Sequence, residues 1–313
     1  MIRLNSERDL EILSREVKNL REKREAVILA HNYQAPEVQD VADYIGDSLE
    51  LARMAVEADA KVLVFDGVSF MAEVAAILNE DKIILHPVKE AGCPLADFLD
   101  VKIVKSFKNK FRDAPLVLYV NSSADTKMYA DYIVTSASAL KLISKLDADT
   151  ILFGPDKNLA SYVANRTDKN IVPIPSDGYC YVHEKLISPY HIKKAKDKNP
   201  NARLLVHPEV SPEVQELADY IGSTSQMLRA VGSLNGDEFQ LGTEEGHTYR
   251  SKTLYPAKEI NPVNPRAVCV DMKKITLENI KKSLETIKTK VIIEKKTNEK
   301  VKEVLDRSNR LIK

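Results

Sequence analysis

"ADYIGDS" occupies residues 42–48, "ADYIVTS" residues 130–136 and "ADYIGST" residues 218–224. Each copy begins 88 residues after the one before. A fixed period of this kind marks a chain built from repeated units. Held to that step, His31 falls on Tyr119 and His207, Tyr33 on Asn121 and Glu209, and Ser48 on Ser136 and Thr224. "PEVQ" at 36–39 recurs at 212–215. The only three cysteines keep nearly the same step: Cys93 to Cys180 is 87 residues and Cys180 to Cys269 is 89. Lone cysteines are usually small core residues, but unrelated core thiols have no reason to follow a repeat. The spacing points to one shared site.

Within each unit, short apolar runs alternate with helical patterns. In the first, "AVILA", "KVLVFDG" and "KIILHPV" read as strands, while "APEVQDVA", "SLELARMAVEA" and "SFMAEVAAILN" read as helices. Ser48 is a plausible N-cap of the second helix. Such alternation predicts parallel sheets covered by helices. The expected fold is α/β, with three similar domains whose strand ends a pseudo-threefold axis would turn toward one centre. The first domain is residues 1–87 with its N-terminal helix, completed by the segment 262–313; the second is 88–174 and the third 175–261. Tyr44, Ile45 and their repeats read as packing residues. Ligands of parallel sheets bind beyond the carboxyl ends of the strands, where His31, Tyr33, Ser48 and Cys93 are all placed.

Lys plus Arg total 46 and Asp plus Glu total 46. That balance argues against a nucleic-acid or membrane-surface role driven by bulk charge. No apolar run is long enough for a membrane span, and the N-terminus mixes charge with apolar residues, unlike a signal peptide. The expected location is cytoplasmic. An odd number of distant cysteines in such a compartment does not suggest a disulfide framework.

Structural zinc sites favour four ligands with close CxxC spacing, which this chain lacks. A [4Fe–4S] cluster takes cysteine thiolates, normally four. With three, one iron is left without a protein ligand and can act as a Lewis acid on a hydroxyl or carboxylate. The spacing permits this chemistry without naming the metal. Ser48, Ser136 and Thr224, each placed at a helix start, suit carboxylate or phosphate; plain N-capping is the alternative for any one of them. His31 and His207 offer hydrogen bonds or proton transfer, Tyr33, Tyr119 and Glu209 offer acid and base groups, and Asn121 offers a hydrogen bond. Lys157 and Arg250 are either anion-binding cations or surface charges. His86, His183, His191 and His247 break the threefold pattern, and their roles stay open.

"ILAHNYQAPEVQDVADYIGDSLELA", "LYVNSSADTK", "FGPDKNLASYV", "GYCYVHEK", "HPEV", "IGSTSQM", "GTEEG" and "CVDMKKITLENI" closely resemble the quinolinate synthase (NadA) family, over about residues 27–281. The resemblance implies three similar three-layer αβα domains with parallel sheets related by a pseudo-threefold axis, the active site at the centre, and a [4Fe–4S] cluster on Cys93, Cys180 and Cys269. It implies condensation of iminoaspartate with dihydroxyacetone phosphate to quinolinate, phosphate and water in de novo NAD biosynthesis. It further implies that an aspartate oxidase or aspartate dehydrogenase supplies iminoaspartate. Carried over position by position, His31, Ser48, Tyr119, Asn121, Ser136, His207, Glu209 and Thr224 match substrate-binding residues. Tyr33 and Glu209, with His31 and His207, are the catalytic candidates. Family members often read "HPEC" where this chain has Val210, and "HYYQ" where it has Asn32; neither change removes a proposed catalytic group. The rival readings are another iron–sulfur hydro-lyase acting on a small hydroxy acid, and a non-enzymatic cluster sensor or zinc-stabilised scaffold.

Overall fold

The computed structural model describes residues 6–312. It contains three four-stranded parallel sheets, one per repeat. The first is built from β1 (Ala26–His31), β2 (Tyr44–Gly46), β3 (Val62–Asp66) and β4 (Ile83–Leu85) in the order β2-β1-β3-β4. The second is β5 (Leu116–Tyr119), β6 (Tyr132–Val134), β7 (Thr150–Gly154) and β8 (Asn170–Pro173), ordered β6-β5-β7-β8. The third is β9 (Arg203–Val206), β10 (Tyr220–Ile221), β11 (Glu238–Gly242) and β12 (Glu259–Pro262), ordered β10-β9-β11-β12. The identical order bears out three similar αβα domains.

This order fixes where ligands go. The chain moves outward one way from the first strand to the second, then crosses back to the third. The reversal leaves a crevice between the carboxyl ends of the two central strands. In the first sheet that crevice is flanked by His31 and Asp66, the last residues of β1 and β3. His207 directly follows the equivalent strand β9 in the third sheet.

The repeated phrase has a mechanical role, and it belongs to the aspartate. Asp43 Oδ2 accepts the Ile28 N–H at 2.9 Å while the Asp43 N–H donates to Ile28 O. Asp131 makes the same pair of bonds with Leu116, and Asp219 with Leu204. In each repeat the aspartate ties the entry of the edge strand to the start of its neighbour, satisfying backbone groups that the short edge strand leaves unpaired. Tyr44 is 41% exposed, so it is not the packing residue expected from the sequence.

Contacts divide the chain into two compact units. One runs to Gly92 and takes in Cys269–Ile293; the other is Cys93–Val268 with the tail from Glu294. The first unit has a core of Val17, Ile28, Val64 and Leu85, closed by Ile280 and Leu284 of helix Leu277–Thr286. In the second unit, helix Lys295–Ile312 packs on β6. Its Ser308 Oγ accepts the Ile133 N–H at 2.8 Å, and Arg307 donates to Asp131 O at 2.9 Å. The sequence placed all of 262–313 with the first repeat; only 269–293 lies with it. The tail's amphipathic pattern shows that it must bury a face, but not which sheet supplies the surface. Among the described residues no helix is long and apolar enough to cross a membrane.

Candidate active site

The second unit brings several of the expected residues together. Glu209, two positions beyond His207, is 3% exposed. Tyr119 Oη donates to its Oε1 at 2.6 Å, and His183 Nδ1 meets its Oε2 at 2.8 Å. On the other side of the His183 ring, Nε2 lies 3.0 Å from Thr243 Oγ1. The His183 and His207 rings sit 4.8 Å apart. His207 Nδ1 accepts the Glu209 N–H at 3.4 Å, which leaves Nε2 as the protonated nitrogen of a neutral ring. That Nε2 lies 3.2 Å from Ser136 Oγ. Tyr119, Ser136, His207 and Glu209 thus form one connected polar network.

The electrostatics set two different charge states. Burial alone would push the Glu209 carboxyl up. The neighbouring His207 and His183, with hydrogen bonds from His183 and Tyr119, outweigh it and hold the pKa at about 2. Burial drives His207 the other way, down to about 3, against the pull of Glu209. At neutral pH the pair is therefore a carboxylate beside a neutral imidazole.

The loop carrying these groups is held from beneath. Gln215, the last residue of the second "PEVQ", donates through Nε2 to Pro208 O and Val210 O, both at 3.0 Å. Gln39, in the same place in the first repeat, donates to Asn32 O and Gln34 O. In the second repeat the position is Lys127, whose buried ammonium donates to Ser122 O. All three side chains grip the loop that follows the first strand of their sheet. Asn158 adds a further hold, donating to Glu209 O at 2.9 Å and to Glu184 Oε2 at 2.7 Å. Lys157 pairs with Glu184 Oε1 at 3.1 Å, so its charge is engaged within the fold.

In the first unit, His31 repeats the geometry of His207. Its Nδ1 accepts the Tyr33 N–H at 3.2 Å, and the two rings meet edge to face at 4.6 Å. The Lys273 ammonium donates to Tyr33 O at 2.6 Å. Asp66, at the end of β3, was not singled out from the sequence. It is fully buried with neither carboxylate oxygen hydrogen-bonded, and desolvation raises its pKa well above the usual value. In the other two repeats the matching strands end in Gly154 and Gly242. His86 Nε2 bonds Gly67 O at 2.9 Å and reads as a structural tie.

The hydroxyl positions correct the expected capping. Asp47, not Ser48, caps helix Ser48–Glu57, accepting from Leu49 N and Glu50 N at 3.0 Å. Ser223 likewise caps helix Thr224–Ser233. Ser48 and Thr224 are thus first residues of their helices, with the cap supplied by the residue before. Ser136 sits in a turn ahead of helix Ala139–Ser144, so it is not at a helix start. Asn121 is half-buried, two residues past β5.

Cys93, Cys180 and Cys269 are all half-buried. Each opens an equivalent turn: its carbonyl accepts the N–H four residues on, from Asp97, Glu184 and Lys273 at 3.1, 2.9 and 3.2 Å. Cys180 is further fixed by Asp156 Oδ2, which accepts its N–H at 3.3 Å. The ligand atoms of Cys180, His183 and Glu209 all lie within 4.8 Å of one another, a group able to hold a metal. His183 was left open in the sequence because the repeat gives it no counterpart; its place three residues after Cys180, on the short helix that Cys180 precedes, was the available signal.

The family model for NadA, the quinolinate synthetase A protein, matches residues 15–310. A quinolinate synthase of Pyrococcus furiosus is 52% identical over 298 residues, covering 95% of this chain and 97% of that protein. The one from Methanocaldococcus jannaschii is 46% identical over 300 residues, with 94% and 97% covered. That of Thermotoga maritima is 45% identical over 287 residues, with 92% and 95% covered. With matches running the length of both partners, the chain belongs to the NadA family of quinolinate synthases.

Proposed function

We propose that this enzyme condenses iminoaspartate with dihydroxyacetone phosphate, releasing quinolinate, phosphate and water. The observation that carries the reading is the Glu209 network, a buried carboxylate held by Tyr119 and His183 beside neutral His207. The reaction needs proton removal from carbon, proton delivery to leaving hydroxyls, and donors for anionic substrates. Glu209, ionised and aimed by its two donors, is the carboxylate placed to accept a proton. Tyr119, which donates to Glu209 Oε1, is the nearest group able to relay a proton, giving up its own as it takes one back. His207, with its Nε2–H, donates to a substrate oxygen and shares Ser136 as a second binding group. His31, presenting the same tautomer in the first unit, donates to a carboxylate or phosphate, and Tyr33 beside it moves a proton. Ser48, Asn121 and Thr224 complete the hydrogen bonds to substrate.

Cys93, Cys180 and Cys269 would hold a [4Fe–4S] cluster. Their equivalent turns and soft thiolate chemistry fit that group. When bound, its iron without a cysteine ligand supplies Lewis acidity toward a hydroxyl or carboxylate. The expected supplier of iminoaspartate is an aspartate oxidase or aspartate dehydrogenase. A second reading, a single metal ion on Cys180, His183 and Glu209, is favoured by the proximity of those three groups. Iron and sulfide analysis of anaerobically prepared protein separates the two. Four irons and four sulfides per chain, lost in Cys180→Ala together with quinolinate formation, support the cluster. A single metal without sulfide, lost in His183→Ala, supports the alternative.

A further inference from the structure

Strands β3 and β11 occupy the same place in their repeats, yet they present different chemistry. In the first sheet Val64 pairs in register with Leu85, and both lie in the core closed by Ile280 and Leu284. The matching residues of the third sheet are Gln240 and Asn261, again register partners on adjacent strands. The corresponding residue of the second sheet, Leu152, is apolar and fully buried. Alternation along β11 sends Phe239 and Leu241 into the core with Met227 and Val231, so Gln240 faces the other way. There it lines a cavity of about 750 Å³ beside helix Pro189–Lys198. The tail helix of this unit, Lys295–Ile312, packs on the second sheet instead.

A vacant helix-docking face would be apolar. This one is floored by an amide that is 4% exposed and whose Oε1 has no hydrogen-bond partner. Buried amides are normally fully hydrogen-bonded, so one kept this way in the floor of a cavity makes that floor polar and unlike a helix-docking face. The rim carries Lys194, Lys198 and Arg266. None of the three has an ion-pair partner among the described residues. Tyr190, also on the rim, is 68% exposed and offers an aromatic face. The volume falls in the usual range for small-molecule sites, about 300–1,000 Å³.

We propose that this cavity is a second ligand site of the enzyme, taking a nucleotide. Its phosphates sit against Lys194, Lys198 and Arg266, its base lies on Tyr190, and its polar edge lies over the Gln240 amide in the floor. The cations select the charged end, stacking on an aromatic tolerates any planar base, and the amides fix the polar edge. The site uses none of the residues placed in the reaction, so it stands independently of the substrates proposed above.

The test is calorimetry on cluster-loaded full-length enzyme at low salt with ADP as the probe, and adenosine and pyrophosphate as separate arms. Saturable binding of one ADP per chain is expected, tighter than either fragment. Gln240→Leu, which installs the side chain found at residue 152, should weaken it at least tenfold and leave quinolinate formation unchanged. The double variant K194A/K198A should weaken it further and reduce its salt dependence. Hydrogen exchange with ADP bound should protect 190–199 and 261–266. Absence of saturable binding overturns the proposal. So does an affinity that both variants leave unchanged, pyrophosphate binding as tightly as ADP, or protection confined to the segments around His207 and Glu209.

Discussion

Asp66 and Glu209 are both buried carboxyls near the carboxyl ends of strands, and their surroundings push them in opposite directions. Glu209 has Tyr119 and His183 as donors and stays ionised. Asp66 has neither donor nor cation, so desolvation wins and its pKa rises. The folded state then binds the Asp66 proton more tightly than the unfolded chain. The stability it contributes is complete below the unfolded value near 3.8 and is lost as pH rises through the folded pKa. Asp66→Asn should therefore be more stable than the parent at pH 7–8, by about 1–3 kcal/mol, with the gain vanishing below pH 4. Denaturant titrations at the two pH values check this, and an equal difference at both would remove Asp66 as the cause. At this scale the sequence showed what the repeat could mirror, pairing His31 with His207 and Tyr33 with Glu209. Asp66 and His183 escaped because the repeat puts glycine opposite the first and leaves the second unmatched, so no register pointed to them.

The elements show how a small motif positions chemistry without touching it. "PEVQ" is legible as a repeat, and proline at a helix start is a familiar device. Its use becomes visible only in three dimensions, where the glutamine amide reaches back to the loop carrying Glu209. Gln215→Leu removes donors from Pro208 O and Val210 O at similar volume. Stability should fall by about 1–3 kcal/mol. The rate constant should drop by more than tenfold through misplacement of Glu209, with iron and sulfide content unchanged. Rate constants for the folded variant decide the point; an unaltered kcat would mean that Asn158 alone holds the loop. The capping residues teach a related lesson. "DSLE" and "STSQ" each open with two adjacent cap-forming residues, and the box partner three positions after the first, Glu50 or Gln226, selects Asp47 and Ser223.

Across the whole molecule, the alternation of strands and helices and the 88-residue period were enough to read three parallel sheets of one topology. The destination of the tail was not, because an amphipathic helix records that it has a partner without recording which. Helix Lys295–Ile312 buries Val301 and Val304 and supplies Ser308 to Ile133 N. Ending the chain at Glu294 should cost several kcal/mol, at about 1.5–3 kcal/mol per buried aliphatic side chain. The loss should appear as faster hydrogen exchange in β6 while β1 and β3 stay protected. Uniform loss across all three sheets would show instead that the tail supports the entire fold.

The central claim is that the polar network around Glu209 performs the quinolinate synthase reaction on iminoaspartate and dihydroxyacetone phosphate. Its most direct test is anaerobic turnover of cluster-loaded parent and Glu209→Gln enzymes, with quinolinate and inorganic phosphate both quantified. The account predicts the two products in equal amounts from the parent, each requiring both substrates, and a loss of at least a hundredfold in the variant with its iron and sulfide intact. Full turnover by Glu209→Gln, or a cluster-loaded parent that forms no quinolinate from these substrates, would contradict it.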